Sequence, residues 1–276
     1  MVTLYKSESA QYYGCGYSCD NAFLLSSRYF SYFITDGRYE VEARESIKNS
    51  EIIITRDILS TLISILRKER VKKLTFDPKE LNTKEILDIE LKLPNIFLNP
   101  IINMAQKNRI IKSVQEIELI GESQRLNKIA FENMAKFLSQ NIEYMSEKQL
   151  QYKTKSFLSS HGEFDLSFEP IFAIEGNGAK PHCLPSSQMY LNKKNSVLFD
   201  AGIKYKRYCS DMTRTSEFDE KFSFDKNQVF SDPKRQKIYD TVLKAQDVAI
   251  KTARAGIKAK DVDKAAREVI QKSGYG

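Results

Sequence analysis

The stretch FDAGIKYKRYCSDMTRT, residues 199 to 215, decides how the C-terminal part of this chain is read. Ser196 to Phe199 is a short apolar run that reads as a strand entering Asp200, and Tyr208 to Thr215 reads as a second strand. A two-residue turn at Tyr205 and Lys206 would set Asp200 directly opposite Asp211 on one face, with Cβ atoms about 4.5 to 5.5 Å apart. Two like charges so placed destabilise the pair, and a shared proton or a bound cation relieves the repulsion. A divalent metal suits two hard oxygen donors, and a carboxylate can bridge two ions about 3.5 to 4 Å apart. The competing reading is a surface hairpin with no ligand, its acids neutralised by Arg207 or Arg214.

Outward from that hairpin, 276 residues with 41% hydrophobic content suit two globular domains. The chain has no run of 18 apolar residues, and the opening MVTLYKSESA lacks the apolar centre of a signal peptide. A cytoplasmic location is therefore expected, with no membrane partner. The net charge of +7 comes from 43 basic and 36 acidic residues that are scattered and not gathered on one face, which argues against nucleic acid binding. Cys15 and Cys19 are spaced for half a zinc site, but no second pair completes it, and with Cys183 and Cys209 they read as free thiols.

Residues 1 to 110 alternate strand-like and helix-like segments, the pattern of an α/β domain: strands over 22–25, 32–35, 51–55 and 73–76, helices over 38–47 and 58–67. Pro94 and Pro100 bracket an irregular stretch, and Gln106 to Lys112 reads as a linker. Ser113 with Glu116 has the form of a capping box and opens a helix reaching about Gln140, with Ile117, Ile120, Ile129 and Met134 as its apolar face. Ser146 with Gln149 opens a second helix that Gly162 can end, with His161 in its last turn. Phe168 to Ile174 reads as a strand leading into GNGAKPHCLPS, which carries His182. Pro233 starts a helix with Ile238, Val242, Ala245 and Ala249 on one face, and Asp261 to Lys272 forms another.

The segment DAGIKYKRYCSDMTRT resembles the first metal-ligand segment of the creatinase/methionine aminopeptidase superfamily, the pita-bread metallopeptidases, and within it the aminopeptidase P and prolidase branch. The family usually has glycine where Arg207 stands. The segment TDGRY at residues 35–39, SVQEIELI at 113–120, the loop around His182 and AGIKAKDVDKAAREVIQKSGYG at 255–276 are similar to further family elements. The resemblance implies a creatinase-like α/β domain over residues 1–110, followed over 111–276 by an α+β domain corresponding to the first half of a pita-bread fold. It implies that Asp200 and Asp211 are ligands of two divalent metal ions, manganese first, with cobalt or zinc as alternatives, and that His182 is a catalytic group that binds substrate. In the family a histidine and two glutamates from the second half complete the centre; they are not matched here, so the chain is expected to be a fragment, inactive alone. The expected activity is hydrolysis of the bond before proline in peptides, by an Xaa-Pro aminopeptidase acting as a homodimer or higher oligomer. A prolidase restricted to dipeptides and a non-catalytic pita-bread binding module are the alternatives.

Overall fold

A computed structural model describes residues 1–140 and 145–276, which divide into two compact units, Met1–Lys112 and Ser113–Gly276. The first unit runs β1 (Val2–Tyr5), α1 (Glu8–Cys15), β2 (Ala22–Ser26), β3 (Ser31–Thr35), a 3-10 turn leading into α2 (Glu40–Ser46), β4 (Glu51–Ile54), α3 (Ile58–Lys68), β5 (Lys73–Phe76), α4 (Thr83–Lys92), β6 (Phe97–Pro100) and α5 (Met104–Asn108). Its strands form one mixed sheet in the order β4-β3-β2-β1-β5-β6, with helices packed on it. Leu4, Phe23, Ile34, Leu62, Leu66 and Leu74 belong to one buried cluster of this unit. The strands and helices expected over 22–76 are present, but β1, α1, α4 and β6 emerge from segments with no strong periodic signal. The stretch between the two prolines holds β6, which ends on Pro100, and part of the expected linker is the short helix α5.

The second unit runs α6 (Val114–Gln140), α7 (Glu147–Leu158), β7 (Asp165–Leu166), β8 (Ile171–Ile174), β9 (Ser196–Ala201), β10 (Ile203–Tyr205), β11 (Tyr208–Cys209), β12 (Met212–Glu217), α8 (Pro233–Thr252) and α9 (Ala259–Lys272). Both capping boxes form: Ser113 and Glu116 exchange bonds at the start of α6, and Ser146 and Gln149 do so at α7. His161 lies beyond the end of α7 in the left-handed region, φ +61, and not in the helix's last turn.

The buried face of α6 includes Met134, as expected, but otherwise differs from the one expected. Ile117 and Ile129 are exposed, whereas Ser123, Asn127, Ala130, Phe131, Met134, Ala135 and Leu138 are buried. The helix is turned so that two short polar side chains enter the core, where they meet strand carbonyls. Below them Phe199 is the hub of an aromatic cluster, stacked on Phe131 at 4.0 Å and within 5.6 Å of Phe172 and Phe224. Helices α8 and α9 pack on each other, while Ile238, Val242 and Ile250 on α8 stay exposed at 47%, 54% and 63%. Among the described residues no helix is long and apolar enough to cross a membrane.

Phe199 is fully buried against three other rings. Phe199→Ala is expected to lower the unfolding free energy by about 3 to 5 kcal/mol, read as the shift of a urea transition followed by circular dichroism.

Candidate metal centre

Strand β9 alternates cleanly: Val197, Phe199 and Ala201 face the core, and Ser196, Leu198 and Asp200 face the other way. The turn that follows is Lys206–Arg207, with φ values of +45° and +71°, one residue later than expected from the sequence. Positive φ at both positions is the type I′ geometry that suits a two-residue hairpin, and Arg207 occupies a conformation where glycine is favoured. Moving the turn by one residue moves every pairing by two. Asp200 therefore pairs with Thr213 and not with Asp211, and Thr213 Oγ1 donates to Asp200 Oδ1 at 2.7 Å. Asp211 keeps the expected side-chain parity but sits diagonally from Asp200, a relation that spans about 7 to 8 Å between Cα atoms in a regular ladder.

The ladder is not regular at this point. Neither Gly202 nor Asp211 belongs to a strand, and Gly202 marks where the chain leaves the β12-β9-β8 sheet for the β11-β10-β7 sheet. A Cβ on Gly202 would lie 2.0 Å from the Ser210 carbonyl oxygen, so only glycine admits this crossing. Side chains add to the backbone bonds that remain around the break, where Ser210 N donates to Ile203 O and Ser167 N to Gly202 O, both at 2.9 Å. Ser210 Oγ accepts from Ile203 N at 2.9 Å, and Ser123 Oγ and Ser167 Oγ each donate to Ile203 O at 2.7 Å. Asn127 Nδ2 donates to Ala201 O at 2.9 Å. Ser123 and Asn127 lie four apart on α6, one turn above the other. A polar pair at that spacing, continuing toward Ala130 and Met134, was the available sign that α6 buries this face.

Burial, and next the charge of Asp200, push the Asp211 carboxyl above its ordinary value. Among the described residues neither aspartate forms an ion pair with lysine or arginine; Arg214 instead donates from Nη1 to Thr213 O at 2.9 Å. The structure thus brings two hard, mutually repelling oxygen donors into each other's field, and among the described residues no cationic side chain pairs with either. By charge and donor type they fit a divalent cation as part of a ligand set. Among the described residues no cluster of three or more His, Cys, Asp or Glu joins them. His182 is exposed, in the turn after the 3-10 segment Glu175–Ala179, and is not gathered with the aspartates into such a cluster. Cys15, Cys19 and Cys183 are buried and Cys209 exposed, all as free thiols, and among the described residues no His, Cys, Asp or Glu cluster of three forms around Cys15 and Cys19. A cleft of about 720 Å³ runs along β12 and α8, lined among others by Thr213, Thr215, Arg235 and Val242.

A mixed α/β unit followed in sequence by an α+β unit is the domain order of the pita-bread peptidase class. Residues 118–276 match metallopeptidase family M24 and residues 2–111 match the creatinase/prolidase N-terminal domain; the chain belongs to family M24. An uncharacterized peptidase of Staphylococcus saprophyticus is 36% identical over 168 residues, which are 61% of this chain and 44% of that protein. The chain thus spans less than half the length of that relative. The X-Pro aminopeptidase of Thermotoga maritima superposes with a TM-score of 0.87 at 23% identity, over all of this chain and 76% of its own. The Xaa-Pro dipeptidase of Bacillus anthracis superposes with a TM-score of 0.86 at 26% identity, over all of this chain and 74% of its own.

Gly202→Ala is expected to force the Ser210 carbonyl aside, at a cost of about 3 kcal/mol. Thermal denaturation compared with Gly121→Ala, where nothing lies within 4 Å of the added Cβ, measures that cost.

Proposed function

We propose that the protein is a metal-dependent exopeptidase that hydrolyses the peptide bond preceding proline, an Xaa-Pro aminopeptidase. The observation that carries this reading is the mutually repelling Asp200–Asp211 pair, in a chain that belongs to a metallopeptidase family. Asp200 and Asp211 hold the cations, two in number and manganese by preference, with cobalt or zinc as alternatives. When bound, such a cation supplies Lewis-acid activation of water and of the scissile carbonyl. Thr213, through its bond to Asp200 Oδ1, fixes that carboxylate's rotamer and leaves Oδ2 for the ion. In this reading His182 donates a hydrogen bond to the substrate and orients it.

Two carboxylates make a weak site, because each ion needs several donors. The 276-residue chain by itself is therefore proposed to bind cation weakly and not to turn substrate over. The likeness to the dipeptidase of Bacillus anthracis supports a second reading, in which the substrate is an Xaa-Pro dipeptide and not a longer peptide. A cytoplasmic homodimer or higher oligomer is the proposed state.

Calorimetric titration with manganese chloride tests the centre. The parent chain is expected to bind with a dissociation constant on the order of 1 mM, and Asp200→Asn or Asp211→Asn to weaken binding at least about tenfold. Equal heats from the parent and the doubly substituted chain would falsify the metal assignment. Substrate class is read separately, from the perturbation of the His182 ring signal in the magnetic resonance spectrum. Xaa-Pro-Yaa peptides are expected to move it, Xaa-Pro dipeptides to move it only if the second reading holds, and proline-free peptides to leave it in place; a proline-free peptide acting equally well ends the proline assignment.

A further inference from the structure

Glu147 stands at the first helical position of α7 with 0% of its surface exposed, yet among the described residues no lysine or arginine pairs with it. A buried carboxylate in that state persists only if hydrogen-bond donors satisfy it. Three do. Oε1 accepts from Ile174 N at 2.8 Å, and Oε2 accepts from Asn177 Nδ2 at 2.7 Å and from Ser186 N at 2.8 Å. Ile174 is the last residue of β8, and Ser186 is where the loop returns, so one side chain grips both ends of the segment that carries His182.

The rest of the helix start strengthens the grip. The backbone N–H groups of Glu147 and Lys148 donate to the carbonyls of Met189 and Ser186 at 3.0 and 3.3 Å, so the first turn of α7 is capped by the returning loop itself. Within the loop, Asn177 Nδ2 also reaches Leu184 O at 3.4 Å, and Lys180 Nζ donates to Asn177 Oδ1 at 2.8 Å. Glu175, held at φ +52, is fixed from the far side by Ser196 N and by the Arg235 guanidinium, both at 2.7 Å.

We infer that Glu147 is the positioning residue for His182: its buried carboxylate sets the loop 175–186 and thereby the place from which the imidazole meets a peptide. The inference rests on the substrate-orienting role proposed above for His182. A carboxylate is required because its two oxygens accept from both loop ends at once. Glutamine would offer one oxygen and turn an amide N–H toward a donor.

The chain has two histidines, so His161, in the turn after α7, is an internal reference for the ring signal of His182. In Glu147→Gln and in Asn177→Ala the His182 signal is expected to shift or broaden while the His161 signal stays. Amide exchange across residues 174–186 is expected to rise at least about tenfold, the loss of a charge-assisted hydrogen bond. Should Glu147→Gln fail to fold, Asn177→Ala, whose side chain lies within the loop, carries the test. Folded variants that keep both the His182 signal and the parent exchange rates overturn the inference. His182→Ala separates it from the functional reading. If that variant binds an Xaa-Pro-Yaa peptide as the parent does, while Glu147→Gln still displaces the His182 signal, the role of His182 falls and the positioning stands.

Discussion

The contact between Gly202 and the Ser210 carbonyl is the constraint on which the second unit depends. Because position 202 carries no Cβ, two backbones cross where a regular hairpin would pair, and the chain passes from one three-stranded sheet to another. Buried peptide groups must be paired, and beside the backbone bonds that remain the crossing draws on side-chain partners. Ser123 and Asn127 from α6, Ser167 from the segment before β8, and Ser210 from the hairpin itself provide them. The aromatic cluster around Phe199 then fixes α6 at the distance where its short polar side chains reach. The core and the acidic pair are thus one construction, because Phe199, Asp200 and Ala201 are consecutive and alternate between the two faces of a single strand.

Much of this was legible in the sequence. Parity along a strand places Asp200 and Asp211 on one face whether the turn falls at Tyr205–Lys206 or at Lys206–Arg207, since a one-residue shift of the turn moves the register by two. The register itself was not legible. A Lys-Arg dipeptide gives no sign of a type I′ turn, for which asparagine and glycine are the usual residues, and here the flanking sheet pairings impose positive φ on both. The capping boxes at Ser113 and Ser146 were readable because they are local chemistry. The face that α6 buries was not, because Ser123 and Asn127 are polar and meet their partners at a strand break 80 and 74 residues away. Glu147 was hidden for the same reason: nothing near it in sequence shows that three donors converge on it from residues 174 to 186.

The treatment of carboxylates elsewhere in the chain gives the acidic pair its meaning. Glu85 takes Lys6 at 2.8 Å, and Glu175 takes Arg235 at 2.7 Å. Glu147 and Glu217, both buried, are satisfied by neutral donors, the latter by Ser231 N and Oγ. Asp200 receives a single hydroxyl, and Asp211 is raised by burial and by its neighbour's charge. Partial solvent access lets the fold tolerate this repulsion, because water screens exposed charges. It also keeps the pair open to a ligand. Glu85, Glu175, Glu147 and Glu217 are met by lysine, arginine, hydroxyl and amide groups, whereas Asp211 feels the charge of Asp200 at the point where the sheet is forced apart, so an arriving positive charge would relieve a repulsion already present in the fold.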